Sequence, residues 1–277
     1  MQRFTLLVLF SLLSLLSRAQ SPASIVRDMI DSSAKLEGFR AEITKEERFN
    51  GKIIKQISAV KLQKSPYKLY LNQRYPKEGV EVLVRNLEDK PLINPNAFPW
   101  FNLNLDPYGS LMRKNQHHTV YDSGFDLMVA ILERELAQIG ADTADYISYI
   151  GVVEWDNRPA HHIELTYENY GKQHYRVQMG EDLNVIAKKL NINEYDIVEL
   201  NKDVDFYDDV EPGQDILVPT TYAKKMVLYI DKGYMLPLVI KVYDEKGLYE
   251  QYGYHNFVLN PNFEDGEFKS DYKDYGF

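Results

Sequence analysis

The sequence predicts an α+β protein with one large curved antiparallel sheet, two or three helices on one face of it, and an inserted β-α-α-β module. Short strand-like segments follow one another through most of the chain, joined by short turns, as in an antiparallel meander. Only two segments outside the module show helical periodicity, whereas a parallel sheet would need several crossover helices. Between residues 174 and 220 the pattern changes abruptly to strand, helix, helix, strand.

The two periodic segments outside the module are predicted helices. In Ser24–Glu37 apolar residues recur at four-residue spacing, and Gly38 is placed to end the helix. In residues 123–139 the apolar side chains lie on one face, and we expect Ser123 to cap this helix and Gly140 to end it. Both helices would pack against one face of the sheet.

The predicted strands begin with a hairpin. Residues 39–44 alternate between apolar and polar, and Asn50-Gly51 is a strong two-residue turn signal before the chain returns through residues 52–62. The proline-rich segment 94–109 is expected to form irregular loops and brief strands. Further strands are predicted at 67–72, 81–85, 146–155, 161–167, 225–230, 236–243 and 248–258.

The first residues of the chain have the features of a cleavable secretory signal. Arg3 supplies positive charge, and residues 4–16 are apolar but shorter than the roughly 20 residues that span a bilayer. Ser17 and Ala19 place small side chains at the −3 and −1 positions of a cut before Gln20. We therefore expect residues 1–19 to be removed from an exported, periplasmic protein. The rest of the chain is not expected to span a membrane.

Composition argues against several classes of protein. The chain has no cysteine, so we expect neither a disulfide, nor the lipid-anchored N-terminal Cys of a lipoprotein, nor a thiol nucleophile. Its formal net charge is −9, whereas nucleic-acid binding depends on Lys and Arg side chains that neutralise phosphates. We therefore expect no nucleic-acid partner.

The inserted segment contains the parts of a small two-layer fold. Residues 175–177 are the predicted first strand, and residues 216–219 are the predicted return strand. Asp182 and Asn193 are placed to cap two short helices between them. Residues 174–219 hold eleven acidic side chains against four basic ones. A unit with its own pattern and charge, lying between two strands, is best interpreted as an inserted module.

A set of short motifs distinguishes this module. They are Tyr175-x-Val177, Gly180-Glu181-Asp182-Leu183, Ile186-Ala187, Leu200-Asn201 and Pro212-Gly213-Gln214-x-Ile216-x-Val218-Pro219. In order and spacing the segment resembles the LysM family. This resemblance implies a β-α-α-β fold that binds N-acetylglucosamine-containing glycans, such as peptidoglycan or chitin, in a shallow groove.

The resemblance places the groove between the loop after the first strand and the loop before the second. The implied glycan-binding residues are Gly180, Glu181, Asp182, Leu183, Asn184, Asp209, Val210, Pro212 and Gly213. Gly and Pro turns let backbone groups approach an N-acetyl group, and we expect Leu183 and Val210 to supply an apolar contact. Glu181-Asp182 departs from the usual Asp-Thr pair of the family. The acidic module would not be attracted at long range to the carboxylates of peptidoglycan.

A second set of motifs lies outside the module. They are Gly38-Phe39, Glu46-Glu47-Arg48-Phe49, Tyr75-Pro76-x-Glu78-Gly79-x-Glu81-Val82-Leu83, Asn94-Pro95-Asn96, Leu105-Asp106-Pro107-x-Gly109-x-Leu111-Met112-Arg113, Gln116-His117-His118, Asp122-Ser123-Gly124-Phe125 and Tyr243-Asp244-x-x-Gly247-Leu248-x-Glu250-x-Tyr252. They resemble a family of uncharacterised exported bacterial proteins related to the LolA-like lipoprotein-carrier fold. That resemblance implies a half-barrel wrapped around helices, with an apolar cavity able to hold an acyl chain. The lipid-binding residues stay unassigned.

We expect no cofactor, no metal site and no catalytic residues. His117-His118 and His161-His162 are adjacent pairs, but neighbours on a strand point to opposite faces and cannot chelate one ion unaided. No His-Glu-x-x-His motif and no Gly-x-Ser-x-Gly nucleophile motif occurs.

Three functional hypotheses follow. The first is a non-enzymatic envelope protein whose module binds peptidoglycan while the half-barrel binds a lipid or lipoprotein acyl group. The second is a structural or assembly factor that uses both domains for protein–protein contacts, with the module as a spacer. The third is a peptidoglycan hydrolase. The expected organisation is a signal peptide at 1–19, a host domain at 20–173 and 221–277, and the module at 174–220.

Overall fold

The structure is a computed structural model that describes residues 20–140, 143–264 and 266–277. The expected signal peptide at residues 1–19 lies outside these described residues. The architecture is α+β, with one large curved sheet and a separate two-stranded sheet, as the sequence predicts. No helix among the described residues is both long enough and apolar enough to cross a membrane.

In chain order the strands of the described residues are β1 (Gly38–Phe49), β2 (Lys52–Gln63), β3 (Lys68–Tyr75), β4 (Glu81–Val84), β5 (Leu92–Asn94), β6 (Leu103–Asn104), β7 (Ile147–Trp155), β8 (Arg158–Thr166), β9 (Lys172–Arg176), β10 (Asp215–Pro219), β11 (Lys225–Asp231), β12 (Pro237–Asp244) and β13 (Gly247–Leu259). The large sheet is antiparallel throughout, in the order β6-β5-β4-β3-β2-β1-β13-β12-β11-β8-β7, and β9 pairs with β10 in the small sheet. Because β6 and β7 are the two edges, the sheet is a half-barrel and does not close.

Turns and bulges give the sheet its curvature. The predicted hairpin turn is confirmed, with Asn50 and Gly51 both at positive φ (50° and 74°), as a two-residue hairpin requires. The strand register shifts between Arg40 and Glu42 in β1 and between Tyr149 and Gly151 in β7. Irregularities of this kind bend a strand and increase its twist, so the face that carries the helices becomes concave.

Helices cover part of that concave face. The helices of the described chain are α1 (Pro22–Ala34), α2 (Ser110–Arg113), α3 (Asp126–Ile139), α4 (Thr143–Tyr146), α5 (Leu183–Leu190) and α6 (Glu194–Leu200). The hydroxyl of Ser21 caps α1 by accepting from the backbone N–H of Ser24 at 3.1 Å. The buried side of α1 packs against α3 and β7.

The predicted start of α3 is wrong by three residues. Ser123 does not cap it, because the helix begins at Asp126 after Phe125, which makes no side-chain capping bond. A short 3-10 helix, capped by reciprocal hydrogen bonds between Thr119 and Asp122, occupies the preceding turn and leaves Ser123 extended. The predicted end is confirmed, since Gly140 terminates the helix at positive φ.

An aromatic cluster forms the centre of the host core. The buried ring of Phe39 on β1 lies 5.7 Å from Phe125 and 5.2 Å from Phe257. Tyr254 on β13 completes the cluster, with its ring centroid 4.9 Å from that of Phe125. The cluster joins the central strands of the sheet to the start of α3 and fixes where the helices can lie.

The module has its own hydrophobic core. Leu183, Ile186, Ile197 and Val218 are fully buried there, and the core includes no residue from the host sheet. Both predicted helix caps are confirmed. The carboxylate of Asp182 accepts from the Val185 N–H at 2.8 Å, and the amide oxygen of Asn193 accepts from the Tyr195 N–H at 2.9 Å.

The base of the module is tied at both chain connections. The N–H of Gly171 donates to the Thr220 hydroxyl at 2.8 Å, and the Thr220 N–H donates to the Gly171 carbonyl at 3.0 Å. Just below, the Tyr167 N–H donates to the Lys224 carbonyl at 2.9 Å. The module therefore leaves from the end of β8 and returns to the start of β11 through a paired stem.

A buried arginine joins the module to the host. The Arg113 side chain, at the end of α2, is 0% exposed and donates to Glu194 of the module at 2.9 Å. It also donates to Asn184 at 3.2 Å, and its guanidinium lies 3.9 Å from the centre of the Tyr207 ring. Because a buried guanidinium needs partners, this contact holds the module in one orientation on the host.

A second patch of this interface collects three carboxylates. Asp196 and Glu199 of α6 face Asp244 of β12, and Arg48 binds Asp244 through two guanidinium nitrogens. Lys246 donates to Glu199 at 3.0 Å. Burial, together with the charges of Asp244 and Glu199, raises the pKa of Asp196 to about 7.

We expect Asp196→Asn to stabilise the protein more at pH 8 than at pH 5. With its pKa raised in the folded state, Asp196 keeps its proton up to about pH 7, whereas the unfolded chain loses it around the ordinary value of 3.8. The penalty of the buried charge therefore builds up between these two values and is complete above pH 7. Each unit of pKa difference between the folded and unfolded states corresponds to about 1.4 kcal/mol. The variant should therefore raise the free energy of unfolding by up to about 4 kcal/mol at pH 8 and by less than half of that at pH 5.

Urea unfolding at the two pH values measures this difference. The matched control is Asp203→Asn, because Asp203 is exposed on the same module and its replacement should change the free energy of unfolding by no more than about 0.5 kcal/mol. An equal effect of Asp196→Asn at both pH values would contradict the explanation.

Candidate functional site

The two loops assigned to the glycan groove lie side by side in the module. The N–H of Gly213 donates to the carbonyl of Val177 at 2.8 Å, which draws the second loop back to the end of β9. The N–H of Leu183 donates to the carbonyl of Tyr207 at 2.8 Å, which holds the first loop against the segment leading into the second. The backbone alone therefore brings together residues far apart in sequence.

The exposure of the predicted groove residues is uneven. Gly180, Asp209, Pro212 and Gly213 are exposed, while Glu181, Asp182, Asn184 and Val210 are half-buried. The expectation for Leu183 needs correction, because its side chain points into the module core as the first residue of α5 and is not available to a ligand. Val210 remains available. Sequence analysis missed Met179, which is 91% exposed beside the groove loop.

The carboxylate of Glu181 holds the first loop, residues 180–184, in place through several hydrogen bonds. It accepts from the Tyr175 hydroxyl at 2.8 Å, from the Gln178 N–H at 2.9 Å and from the Lys189 ammonium at 2.8 Å. The hydrogen bond from Lys189 lowers the pKa of Glu181, so the carboxylate stays ionised. These hydrogen bonds fix the first loop to Tyr175 of β9 and to Lys189 of α5.

A second candidate site is a cavity in the host domain. It has a volume of about 300 Å³ and lies between the concave face of the large sheet and residues 105–128. Its apolar wall includes Val60, Leu71, Val82, Ile93, Leu127 and Met128. A cavity of this size and lining lies at the lower end of the range for small-molecule sites.

One end of this cavity is polar. Lys45 is hydrogen-bonded to Gln116, and the Gln116 amide donates to Gln56 at 3.2 Å. His118 and Tyr252 complete this end. The cavity is therefore amphipathic, with an apolar body and a polar end.

A buried carboxylate lies behind the polar end. Glu250 is fully buried and accepts from the Tyr222 hydroxyl at 2.6 Å, while its other oxygen lies 2.9 Å from His117 Nδ1 and 3.2 Å from His118 Nε2. Burial raises the pKa of Glu250, but the charge of His118 and the hydrogen bond from His117 more than offset this and hold it far below its ordinary value. In turn, burial opposes the charge on His118, yet Glu250 raises the pKa of that imidazole to about 9.

The expectation that neighbouring histidines point to opposite faces does not apply to His117 and His118. It assumed a strand, whereas both residues lie on an irregular segment where neighbouring side chains can point the same way. Both imidazoles approach Glu250. The second nitrogen of His117 lies 3.0 Å from the carbonyl oxygen of Arg48, so both of its ring nitrogens face hydrogen-bond acceptors.

No metal was expected, yet two groups of ligand-type atoms occur among the described residues. In the first, atoms of Glu47, His117 and Glu250 lie within 4.8 Å of one another. The Lys45 ammonium lies 3.1 Å from Glu47, and His118 carries the opposing charge beside Glu250. Cationic side chains of the protein therefore already neutralise this cluster.

The second group consists of the interface carboxylates Asp196, Glu199 and Asp244, again within 4.8 Å of one another. Arg48 pairs with Asp244, and Lys246 pairs with Glu199. Each of these two acids is thus engaged by a cationic side chain, and we assign no metal ion to either group.

Sequence analysis did not find the polar end of the cavity, although a signal exists. On β13, Glu250, Tyr252 and Tyr254 alternate onto the cavity side of the sheet. An ionisable residue on the buried face of a strand breaks the apolar pattern and marks a site that needs a partner. Which partner meets it depends on the path of residues 114–125, and that path shows no periodicity in sequence.

Family comparison matches two parts of the chain. The family described as "Protein of unknown function (DUF1571)" matches residues 36–188, more than half of the chain. The LysM domain matches residues 175–219. The first match extends into the start of the module and stops before the last three strands of the sheet. No curated protein matches the chain significantly.

Several solved structures are similar over most of this chain at low sequence identity. The complex of Pseudomonas aeruginosa MucA/MucB is 12% identical, with a TM-score of 0.43, covering 90% of this chain and 60% of that chain. The Mycobacterium tuberculosis lipoprotein LppX is 11% identical, with a TM-score of 0.43, covering 88% of this chain and 97% of that chain. A LolA superfamily protein from Nitrosomonas europaea is 12% identical, with a TM-score of 0.35, covering 92% of this chain and 100% of that chain.

This chain thus spans about 60% of the length of the MucB chain. The LysM match coincides with the inserted β-α-α-β module of the structure. The protein belongs to the DUF1571 family and carries a LysM domain at residues 175–219.

Proposed function

We propose that this protein is an exported, non-enzymatic binding protein of the bacterial envelope with two ligand sites. The LysM module binds peptidoglycan or another N-acetylglucosamine-containing glycan. The half-barrel holds a lipid or the acyl group of a lipoprotein. In this proposal residues 1–19 are a cleaved signal, residues 174–220 are the module, and residues 20–173 and 221–277 form the host domain in the periplasm.

The observation that carries the proposal is the amphipathic cavity in a chain that also has a LysM domain. The cavity is enclosed on one side by the sheet and on the other by residues 105–128. Its apolar wall suits a hydrocarbon chain, which gains roughly 0.8 kcal/mol for each methylene removed from water. Its polar end, with Lys45, Gln116 and His118, suits a head group that accepts hydrogen bonds.

The glycan half of the proposal rests on the module. Gly180 and Gly213 adopt positive φ (82° and 89°) on the two facing loops, which leaves backbone groups open to a ligand. Asp209 and Pro212 are exposed beside them. An N-acetyl group needs a backbone donor, a backbone acceptor and an apolar contact, and Val210 can supply the contact.

A binding role fits the reactive side chains better than a catalytic one. His117 has both ring nitrogens engaged by protein acceptors, and His118 is held as a cation by Glu250. General-base catalysis needs an imidazole with a free lone pair aimed at a proton. Neither imidazole of this cluster meets that requirement.

We expect N-acetylglucosamine oligomers to bind the groove with a dissociation constant on the order of millimolar. NMR shift mapping should place the largest changes at residues 180–184 and 209–213. Val210→Asp removes the apolar contact and puts a desolvated charge beside the sugar. It should weaken binding about tenfold, equal to about 1.4 kcal/mol.

Gln173→Asp is the matched control, because Gln173 is exposed at the far end of β9 from the groove and its variant should bind normally. Shifts confined to the opposite face of the module, or no shifts at millimolar ligand, would favour a spacer role instead.

We expect a fluorescent fatty acid to bind the host cavity saturably at micromolar concentration and unlabelled lipid to displace it. Leu71→Trp fills the cavity from the floor of the sheet and should weaken binding about tenfold or more. Fluorescence titration of residues 20–277 measures the dissociation constant of the probe for the parent and for each variant.

Leu217→Trp is the corresponding control, since Leu217 is a half-buried leucine of β10 in the module, away from the cavity. If the folded parent gives no saturable signal, the lipid-binding half of the proposal fails. The assembly-factor hypothesis, in which both domains contact proteins, then takes its place.

A further inference from the structure

The loop that joins β5 to β6 exposes large aromatic side chains. This aromatic loop, residues 95–102, carries Phe98, Trp100 and Phe101, which are 83%, 78% and 60% exposed. Soluble proteins seldom present several large aromatic rings together in water, because each exposed ring loses the stabilisation of burial. Such a group therefore points to an interaction surface.

The charge pattern around this loop is unusual for the chain. Charged residues make up 26% of the sequence, and the net charge is −9. Yet residues 91–105 contain no Asp, Glu, Lys, Arg or His. The loop is thus an uncharged tip on an acidic protein, so it can approach a surface of lipid phosphates without placing carboxylates against them.

The aromatic loop is held in place by hydrogen bonds. The Asn96 side chain donates to the carbonyl of Glu78 at 3.0 Å, and the Asn96 N–H donates to the Asn94 side chain at 3.0 Å. The Trp100 N–H donates to the Ala97 carbonyl at 2.8 Å. A loop fixed in this way presents its rings without first paying the entropy of ordering.

The aromatic loop also lies beside the cavity. Ile93, in β5 just before the loop, and Leu105, just after β6, both line the cavity wall. Leu111 belongs to the same wall and is 71% exposed, so apolar surface continues from the cavity to the outside of the protein. A hydrocarbon chain that left the cavity here would remain against apolar side chains.

We propose that the aromatic loop inserts into the interfacial region of a lipid bilayer and places the mouth of the cavity at the membrane. Trp and Phe side chains favour the boundary between head groups and acyl chains, where the ring is desolvated and the indole N–H still finds a partner. A protein partner would have to supply a pocket for each protruding ring, whereas a bilayer accepts all three. This inference extends the proposed lipid binding and has a separate readout.

The experiment uses residues 20–277, because the apolar segment 4–16 would itself bind lipid. The protein is mixed with vesicles of phosphatidylcholine and phosphatidylethanolamine and floated through a sucrose gradient. The parent should float, and replacing Phe98, Trp100 and Phe101 with Ser should lower the partition coefficient about tenfold or more. Added salt should not release the parent, because the contact is apolar.

The control is Ile150→Ser together with Val152→Ser. Both residues are 53% exposed on β7, at the opposite edge of the sheet from β6, so this variant should float like the parent. Equal loss in the control, release of the parent by salt, or flotation of the triple variant at the parent level would each overturn the inference. A parent that dimerises through the loop and does not float would overturn it in favour of a second copy of the chain.

Fluorescence gives an independent readout. The chain has two tryptophans, and Trp155→Phe leaves Trp100 as the reporter. Its emission should shift to the blue with vesicles and be quenched by lipids brominated on the acyl chain; an unchanged spectrum contradicts insertion. The serine variant should still bind the fatty-acid probe, so failure of the cavity proposal and failure of this one are distinguishable.

Discussion

Glu250 places a negative charge in the interior of the host domain, where an unpaired carboxylate would cost many kcal/mol. Its partners come from separate parts of the chain. His117 and His118 belong to the segment that covers the cavity, and Tyr222 lies where the chain returns from the module. The requirement to neutralise one buried charge therefore fixes the covering segment and the return point of the module against β13.

Arg113 is a buried positive charge, and like Glu250 it requires partners from other parts of the chain. Its guanidinium is fully buried, and the module supplies its carboxylate, amide and aromatic partners. Without the module, Arg113 would keep only the carbonyl of His117 among its described hydrogen-bond partners. The module is thus part of the folded unit even though it has a hydrophobic core of its own. The contact of Arg113 with Glu194 thus holds the module against the host domain.

The sequence predicts those parts of the molecule that short-range rules decide. The Asn50-Gly51 hairpin and the caps at Asp182 and Asn193 depend on residues within a few positions of one another, and each is found as expected. Periodicity also located the long strands and the two host helices. The inward direction of Leu183 was missed, because a family motif does not show which of its residues fill the core.

Contacts between charged residues that are far apart in sequence cannot be predicted from local patterns. The convergence of His117, His118 and Glu250 joins positions more than 130 residues apart through a segment without regular structure. Nothing in the local pattern indicates that Asp196 will meet Asp244. The predicted start of α3 was wrong because residues 120–122 form a 3-10 helix capped by Thr119 and Asp122. This short helix leaves Ser123 extended, so Ser123 cannot cap α3.

The paired stem formed by Gly171 and Thr220 has a mechanical consequence. A tensile load on the module reaches the host through both connections at once. It pulls on the end of β8 and the start of β11 in the same direction, so these two strands need not slide past each other. The load passes instead to their outer neighbours, β7 and β12, where the rows of backbone hydrogen bonds are strained in shear and break together instead of one at a time. Two-point attachment therefore makes the host sheet resistant to extension from the module, which a single flexible tether would not do.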